Sequence, residues 1–316
     1  MLASAGCAGS TSSSGPPSPS VGEPSGATAS PSPPHGPTTT SGLVAFSRVV
    51  DGHGHGDVPV AELVVRDVDG GERTIADGAG FRSAPTFAPD GRSLAYVGEG
   101  GLSVVDLGGD VDRLASCRPP ACLGFGPPAW SPDGGSIALA VLGERASGLA
   151  LVDVGDPSPS LLTTETDDGA PAWSPDATRI AFASSDRLVV VDAIGGGVVQ
   201  TTRFPGSLAG RVAWSPDGTT FAVDGTVDGT VGIFLVSASG GSLELVTSCP
   251  DDGCVDLDPA WSPDGASIAF TRGRCDLVGG DCFTGDLFVV PATGADADPL
   301  VTGADLDCCA AWGIEP

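Results

Sequence analysis

Beyond residue 100 the chain carries eight cysteines in closely spaced pairs, and this spacing favours disulfide chemistry. The pairs are Cys117 with Cys122, Cys249 with Cys254, Cys275 with Cys282, and the adjacent Cys308 and Cys309. Because no Cys-x-x-Cys motif is present, we interpret them as disulfides in an oxidising compartment rather than as zinc ligands. The pairing of the adjacent cysteines stays open, since neighbouring Cα atoms lie about 3.8 Å apart and a bond between them would be strained.

Two histidines and three aspartates are candidates for holding a divalent ion such as Ca²⁺. His53 and His55 lie in a Gly-rich segment, and Asp168, Asp258 and Asp307 each stand shortly before a tryptophan. Imidazole and carboxylate groups bind divalent metals, so the residues predict two candidate cation sites. In the first, ring closure brings His53 and His55 next to the connector that carries Asp307. In the second, Asp168, Asp258 and Asp307 occupy comparable positions and form a ring of carboxylates at the channel mouth. Two plainer interpretations stay open, in which the histidines are solvated and the aspartates cap the ends of strands. Apart from such an ion, we expect no cofactor.

Catalytic motifs are scarce in the sequence. The chain has no Gly-x-Ser-x-Gly motif, and its histidines are limited to His35, His53 and His55. A Ser-His-Asp triad would need its base in a Gly-rich loop or in the Ser- and Pro-rich N-terminal segment. We therefore predict no catalytic residues and a protein that is not an enzyme.

A repeat organises most of the chain and must position these side chains. An aromatic residue recurs at intervals of 41 to 51 residues, usually within Ala-Trp-Ser-Pro-Asp-Gly. The repeat aromatics are Phe87, Trp130, Trp173, Trp214, Trp261 and Trp312. A period in the forties with short strands between turns is typical of a β-propeller blade. Proline, aspartate and glycine at these spacings are typical of tight turns, so the motif has a structural role.

Each repeat contains four strand-like segments, and the third is the most regular. It occurs six times, which predicts six four-stranded antiparallel blades in an all-β fold. The third strands begin at Leu63, Leu102, Leu149, Leu188, Ile233 and Leu287. The first blade lacks a first strand, whereas the segment around Trp312 is a first strand without a following blade. We expect this C-terminal strand to complete the first blade and close the ring, which removes two open sheet edges.

Strand order assigns the loops to two rims of the ring. The turns after first and third strands share the turn rim, which carries the Ser-Pro-Asp-Gly turns. The connectors after second and fourth strands share the loop rim, which carries the eight cysteines, both candidate loop histidines and the candidate aspartates. We expect the loop rim to be the functional face, because long and chemically varied loops usually carry function.

The Pro-x-Trp-Ser-Pro-Asp-Gly turn, as in Pro259 to Gly265, resembles the signature of the TolB-like six-bladed propellers, and the match covers residues 42 to 316. The resemblance implies a six-bladed ring and, by analogy with TolB, an envelope protein that binds partner proteins. It is specific for the fold and carries little information on function, because the motif lies in a structural turn.

The N-terminal region is of a different composition. Residues 8–41 are almost entirely Ser, Thr, Pro, Gly and Ala, which predicts a disordered tether. Residues 1–7 resemble the end of a bacterial lipoprotein signal in which Cys7 is lipidated, and we expect the true start to lie upstream of Met1. The alternative is that Cys7 is an ordinary cysteine in a secreted protein. The interpretation we favour is an exported protein anchored in the cell envelope, on the outer face of the cytoplasmic membrane.

Composition limits the partners. The chain has no lysine, and its 14 basic residues face 40 acidic residues, for a net charge of -26. Such a surface repels phosphate backbones, so we expect no nucleic-acid binding, and no apolar run is long enough to span a bilayer. We expect membrane contact only through an N-terminal lipid, and a monomer. The predicted function is a tethered propeller that binds an envelope or extracellular protein; the alternative is a small-ligand, carbohydrate or metal binder, or an enzyme, that uses the channel mouth.

Overall fold

The computed structural model describes residues 42–51, 60–67, 69–79, 84–98, 101–117, 122, 124–143, 147–164, 169–249, 254–275, 282–303 and 306–314. Within these ranges the chain is entirely β-sheet and turns, which confirms the predicted all-β class. No described helix could cross a membrane. The predicted signal remnant, Cys7 and the tether of residues 8–41 lie outside the described residues and stay predictions.

The described residues form 25 strands, which build six antiparallel blades. In chain order the strands are β1 (Leu43–Asp51), β2 (Val60–Arg66), β3 (Glu72–Ala79), β4 (Thr86–Phe87), β5 (Ser93–Gly98), β6 (Gly101–Asp106), β7 (Val111–Ser116), β8 (Gly124–Phe125), β9 (Ala129–Trp130), β10 (Ser136–Leu142), β11 (Gly148–Asp153), β12 (Asp156–Leu161), β13 (Ala172–Trp173), β14 (Arg179–Ser184), β15 (Arg187–Asp192), β16 (Val198–Arg203), β17 (Ser207–Trp214), β18 (Thr220–Val227), β19 (Thr230–Ser237), β20 (Leu243–Leu245), β21 (Cys254–Trp261), β22 (Ser267–Cys275), β23 (Cys282–Pro291), β24 (Asp298–Val301) and β25 (Leu306–Gly313).

The blades follow one another along the chain, and the last strand belongs to the first blade. Blade 1 has the order β25-β1-β2-β3, and blade 2 contains β4 to β7. Blade 3 contains β8 to β12, because its first strand is split into the short strands β8 and β9, which both pair with β10. Blades 4, 5 and 6 are β13 to β16, β17 to β20 and β21 to β24. The six predicted third strands are β2, β6, β11, β15, β19 and β23.

Ring closure is confirmed by the pairing of β25 with β1. The two strands are antiparallel, with Leu43 opposite Gly313 and Ala45 opposite Ala311. The C-terminal strand therefore supplies the first strand of blade 1. The facing edges of β1 and β25 are hydrogen-bonded to each other and are not free.

The repeated turns are held by one hydrogen-bond pattern. In the turn of blade 3 the hydroxyl of Ser131 donates to Oδ1 of Asp133 at 2.6 Å, and Gly134 adopts a φ of 77°. The same serine-to-aspartate bond recurs at Ser174, Ser215 and Ser262. In blade 4 the glycine position is taken by Ala177, which is held at a φ of 56°. These bonds show that the role of the motif is to stabilise the turn.

The hydrophobic core lies between neighbouring blades. Between blades 3 and 4, for example, Leu149 packs with Ile180 and Phe182, all of them buried. The repeat tryptophans are half-buried and pack against these clusters from the turn rim. There they line a cavity of about 370 Å³. The indole N–H of Trp173 donates to the carbonyl of Ala129 in the preceding blade at 3.0 Å. The tryptophans thus join neighbouring blades, in agreement with their predicted structural role.

Candidate functional site

A cavity of about 390 Å³ opens on the loop rim, where the first strands of five blades approach the propeller axis. Each of these blades contributes the residue three positions before its repeat aromatic. These residues are Pro127, Ala170, Arg211, Asp258 and Cys309. Much of the remaining wall is glycine or apolar, and we call this space the axial cavity.

Irregular strand pairing aims the polar residues into the axial cavity. The first strands of blades 5, 6 and 1 each break register shortly before their tryptophan. At these breaks Gly210, Asp258 and Cys309 take φ values of 118°, 56° and 64°. A bulge in an antiparallel pair redirects the side chains beside it. As a result Arg211, Asp258 and Cys309 line one space.

Arg211 and Asp258 form an ion pair on the wall of the axial cavity. Nε of Arg211 lies 3.3 Å from Oδ1 of Asp258, and their side chains are 17% and 22% exposed. Nη2 of Arg211 is buried and has no hydrogen-bond partner among the described residues. The guanidinium group therefore uses only part of its donor capacity, and the cavity presents one cation and one anion at its surface.

A third charged residue, Asp224 of β18, lies behind this pair. Its side chain is 2% exposed, and its two oxygens accept hydrogen bonds from the backbone N–H groups of Arg211 and Asp258, each at 3.0 Å. Burial, and secondly the charge of Asp258, raises the pKa of Asp224 to about 7. Asp224 thus ties the bulge of blade 5 to that of blade 6, and its ionisation responds to the charge in the cavity.

The adjacent cysteines line the same cavity and are free thiols, so including them among the predicted disulfides was wrong. The N–H of buried Cys309 donates to the hydroxyl of Thr271 at 3.1 Å, and its thiol donates to Oδ2 of Asp258 at 3.5 Å. A hydrogen bond with Cys308, burial and the charge of Asp258 raise the pKa of Cys309. The physical reason for the missing bond is that adjacent Cα atoms, about 3.8 Å apart, are too close for ordinary disulfide geometry.

Two of the predicted local pairs are disulfide-bonded. Cys117 and Cys122 have Cα atoms 5.0 Å apart, and Cys249 and Cys254 have Cα atoms 5.7 Å apart. Both distances lie within the usual range of disulfides. Cys275 and Cys282 are opposite each other in the backbone pairing of β22 and β23, but their side chains lie outside the described structure.

Of the candidate metal ligands the structure describes Asp258 and Asp307, and it does not place these two in one site. Asp258 lines the axial cavity, whereas Asp307 is buried and binds the guanidinium of Arg48 at 2.8 and 3.1 Å. The repeat-equivalent of Asp307 is Asp256, which binds Arg272 in the same manner, so the assumed equivalence of Asp258 and Asp307 was wrong. His53, His55 and Asp168 lie outside the described residues. Among the residues that are described, no three His, Cys, Asp or Glu side chains form a metal-binding group.

Sequence reasoning did not identify Arg211 or Asp224. Both precede or follow apolar strand residues, and neither belongs to a recognisable motif. The available signal was the alignment of repeats on their tryptophans. The position three residues before the aromatic is small or proline in blades 2, 3 and 4 but polar in blades 5, 6 and 1.

Comparison with solved structures defines the class of the protein as a six-bladed β-propeller. TolB from Acinetobacter baumannii matches with a TM-score of 0.70 and 21% identity over 88% of this chain and 68% of that chain. A candidate TolB from Agrobacterium tumefaciens matches with a TM-score of 0.65 and 21% identity over 84% of this chain and 90% of that chain. The fold is thus that of a TolB-like propeller.

A propeller that is named for an enzymatic activity also matches. The oligogalacturonate lyase of Vibrio parahaemolyticus has a TM-score of 0.54 and 16% identity over 84% of this chain and 87% of that chain. At these identities the likeness concerns the fold alone. No family sequence profile matches the chain.

Proposed function

We propose that the protein is a non-catalytic, exported propeller that binds a partner protein, and that the axial cavity receives a positively charged group of that partner. The observation that carries the proposal is the presence of two carboxylates, Asp224 and Asp258, in a largely apolar cavity on the loop rim. Apolar pockets with a few convergent polar groups are the usual form of a binding site.

The charge balance of the axial cavity favours a cation. Its described ionisable side chains are Arg211, Asp224, Asp258 and the two thiols. Arg211 and Asp258 offset each other, so ionisation of Asp224, whose pKa is about 7, leaves one net negative charge. A lysine or arginine side chain, or a terminal amine, would compensate this charge and favour the ionised form of Asp224. The net charge of the whole chain, -26, would also attract a basic partner from a distance.

The size of the cavity favours insertion of a short segment. A volume of about 390 Å³ lies within the range of small-ligand sites, roughly 300 to 1,000 Å³. A charged side chain and its apolar stem fit such a space, whereas a folded domain does not. The partner would insert one side chain or a chain end, and the surrounding loops of the rim would contact the rest.

The bonding of the carboxylates supports binding rather than catalysis. Both oxygens of Asp224 accept backbone N–H groups, and Asp258 is paired with Arg211. The pKa of Cys309 is raised, which disfavours the thiolate that a nucleophile requires. Asp224 is thus engaged in holding the strands of blades 5 and 6, and the TolB-like fold is compatible with a protein-binding role.

The binding proposal is tested with synthetic peptides. A hexapeptide with one central lysine is titrated calorimetrically into the propeller, and the matched peptide carries acetyl-lysine instead. We expect the lysine peptide to bind at least about ten-fold more tightly, because a charge-assisted hydrogen bond contributes about 1.5 to 3 kcal/mol. Asp258→Asn should abolish this preference, whereas Asp133→Asn on the turn rim should preserve it. Equal binding of both peptides would contradict the proposal.

We also propose export and membrane attachment. The disulfides Cys117–Cys122 and Cys249–Cys254 are consistent with an oxidising compartment. Lipidation of Cys7 would anchor the protein, and residues 8–41 would act as its tether. A Cys7→Ser variant, expressed behind a lipoprotein signal sequence, should leave the membrane fraction. Retention there, together with an unmodified N-terminal peptide in mass spectrometry, would refute the anchor.

A further inference from the structure

The two free thiols of the axial cavity are paired in space as well as in sequence. Side chains of adjacent strand residues normally point to opposite faces of a sheet. The φ of 64° at Cys309 breaks this alternation, so that Cys308 and Cys309 line the same cavity. A non-glycine residue in the left-handed region is uncommon and often marks a functional position.

The state of the other cysteines makes this pair unusual. Cys117, Cys122, Cys249 and Cys254 are all in disulfides, whereas Cys308 and Cys309 are the free cysteines of the described structure. Their adjacent positions disfavour an ordinary disulfide, so oxidation to a bond between them is opposed by geometry. Two neighbouring thiols are suited to bind a thiophilic ion, because thiolates are soft ligands that select soft metals.

The surroundings indicate which kind of ion. Asp258 accepts the hydrogen bond of the Cys309 thiol and offsets the charge of Arg211, and Asp224 lies behind it, so the net charge of the cavity does not repel a cation. A structural zinc ion takes four ligands, and the described residues provide no group of three His, Cys, Asp or Glu ligands. Within the described residues the two thiols thus have no third protein ligand, and such a pair suits a monovalent soft ion better than zinc.

We propose that Cys308 and Cys309 form a two-thiolate binding site for a monovalent soft metal ion, for which Cu⁺ is the probe. Binding breaks two S–H bonds and forms two S–Cu bonds, and two protons leave for solvent. No electron is transferred, since copper enters and remains as Cu⁺. The site goes beyond the protein-binding role, because it uses the thiols and not the carboxylates as ligands.

The experiment is an anaerobic competition titration with the chromogenic Cu⁺ chelator bicinchoninate, with ascorbate to keep copper reduced. We expect one Cu⁺ per propeller. Cys308→Ser and Cys309→Ser should each lose this binding, and the serine hydroxyl of the second variant can still donate a hydrogen bond to Asp258. The matched control, Cys117→Ser with Cys122→Ser, should keep it. Melting temperatures verify that each variant is folded.

Three results would overturn the site. The first is less than about one fifth of a copper ion bound by the parent protein. The second is undiminished copper binding when both Cys308 and Cys309 are replaced by serine, which would place the metal elsewhere. The third is a thiol count that shows both cysteines oxidised in protein purified without reductant, since an oxidised pair has no thiolates to offer.

Discussion

Replacement of Asp224 by asparagine should make the stability of the propeller depend differently on pH. The carboxyl of Asp224 has a pKa of about 7 in the folded chain, raised mainly by burial and then by the charge of Asp258, against 3.8 for an unperturbed aspartate. Between these pH values the unfolded chain is ionised at this residue and the folded chain is protonated. The folded state then binds more protons, so the contribution of Asp224 to stability falls as the pH rises.

The magnitude follows from the size of the pKa difference. About three units correspond to about 4 kcal/mol at most, lost between pH 4 and pH 7 and constant above that range. The asparagine side chain of the variant has no such titration. The free energy of unfolding of Asp224→Asn, minus that of the parent, should therefore rise by about 3 kcal/mol between pH 4.5 and pH 8, whatever constant cost the lost acceptor adds.

Urea unfolding followed by tryptophan fluorescence at pH 4.5, 6 and 8 measures this difference. Asp133→Asn is the control, because the hydrogen bond from Ser131 lowers the pKa of Asp133 and leaves it ionised throughout this range. Its difference from the parent should be the same at all three pH values. If the difference in free energy of unfolding between Asp224→Asn and the parent is also the same at all three pH values, the argument that burial raises the pKa of Asp224 is refuted.

Four further changes test the fold. Ala177→Gly should stabilise the protein by about 0.5 to 1 kcal/mol, because it relieves a φ of 56°. Gly218→Ala should destabilise it by about 1 kcal/mol, because the φ is 75° although there is room for the methyl group. The changes in the free energy of unfolding in urea must therefore have opposite signs. Trp173→Ala should cost about 3 kcal/mol, because it removes a half-buried indole and its bond to Ala129, and a loss below about 1 kcal/mol would deny its packing role. Deletion of residues 310–316 should cause aggregation in light-scattering assays, and a soluble, equally stable product would contradict ring closure.

The architecture was predictable because its signals are local and repeated. The Ser-Pro-Asp-Gly turn specifies its own hydrogen bonds, as between Ser131 and Asp133, and recurs at a period that suits one blade. Closure by the C-terminal strand followed from counting strands, and the pairing of Leu43 with Gly313 confirms it. The first strands of blades 5, 6 and 1 are longer than the short segments expected from sequence, because each continues beyond a bulge.

The candidate site was less predictable because it depends on those bulges. No sequence pattern indicates that Asp258 and Cys309 take positive φ, since few residues other than glycine adopt it. Asp258 lies three residues before its tryptophan and Asp307 five, so Asp258 lines the axial cavity whereas Asp307, which was expected beside it, pairs with Arg48. Asp224 could be recognised only after its burial and its two backbone donors were known.

The junction of β1 and β25 also determines how the ring responds to mechanical load. The start of β1 lies beside the end of β25, with Leu43 opposite Gly313. Force applied between these two ends would load the hydrogen bonds of the antiparallel ladder one after another, as in a zipper, instead of shearing them together. Such a pull would peel off the closing strand and open blade 1 first, while the other five blades kept their own first strands.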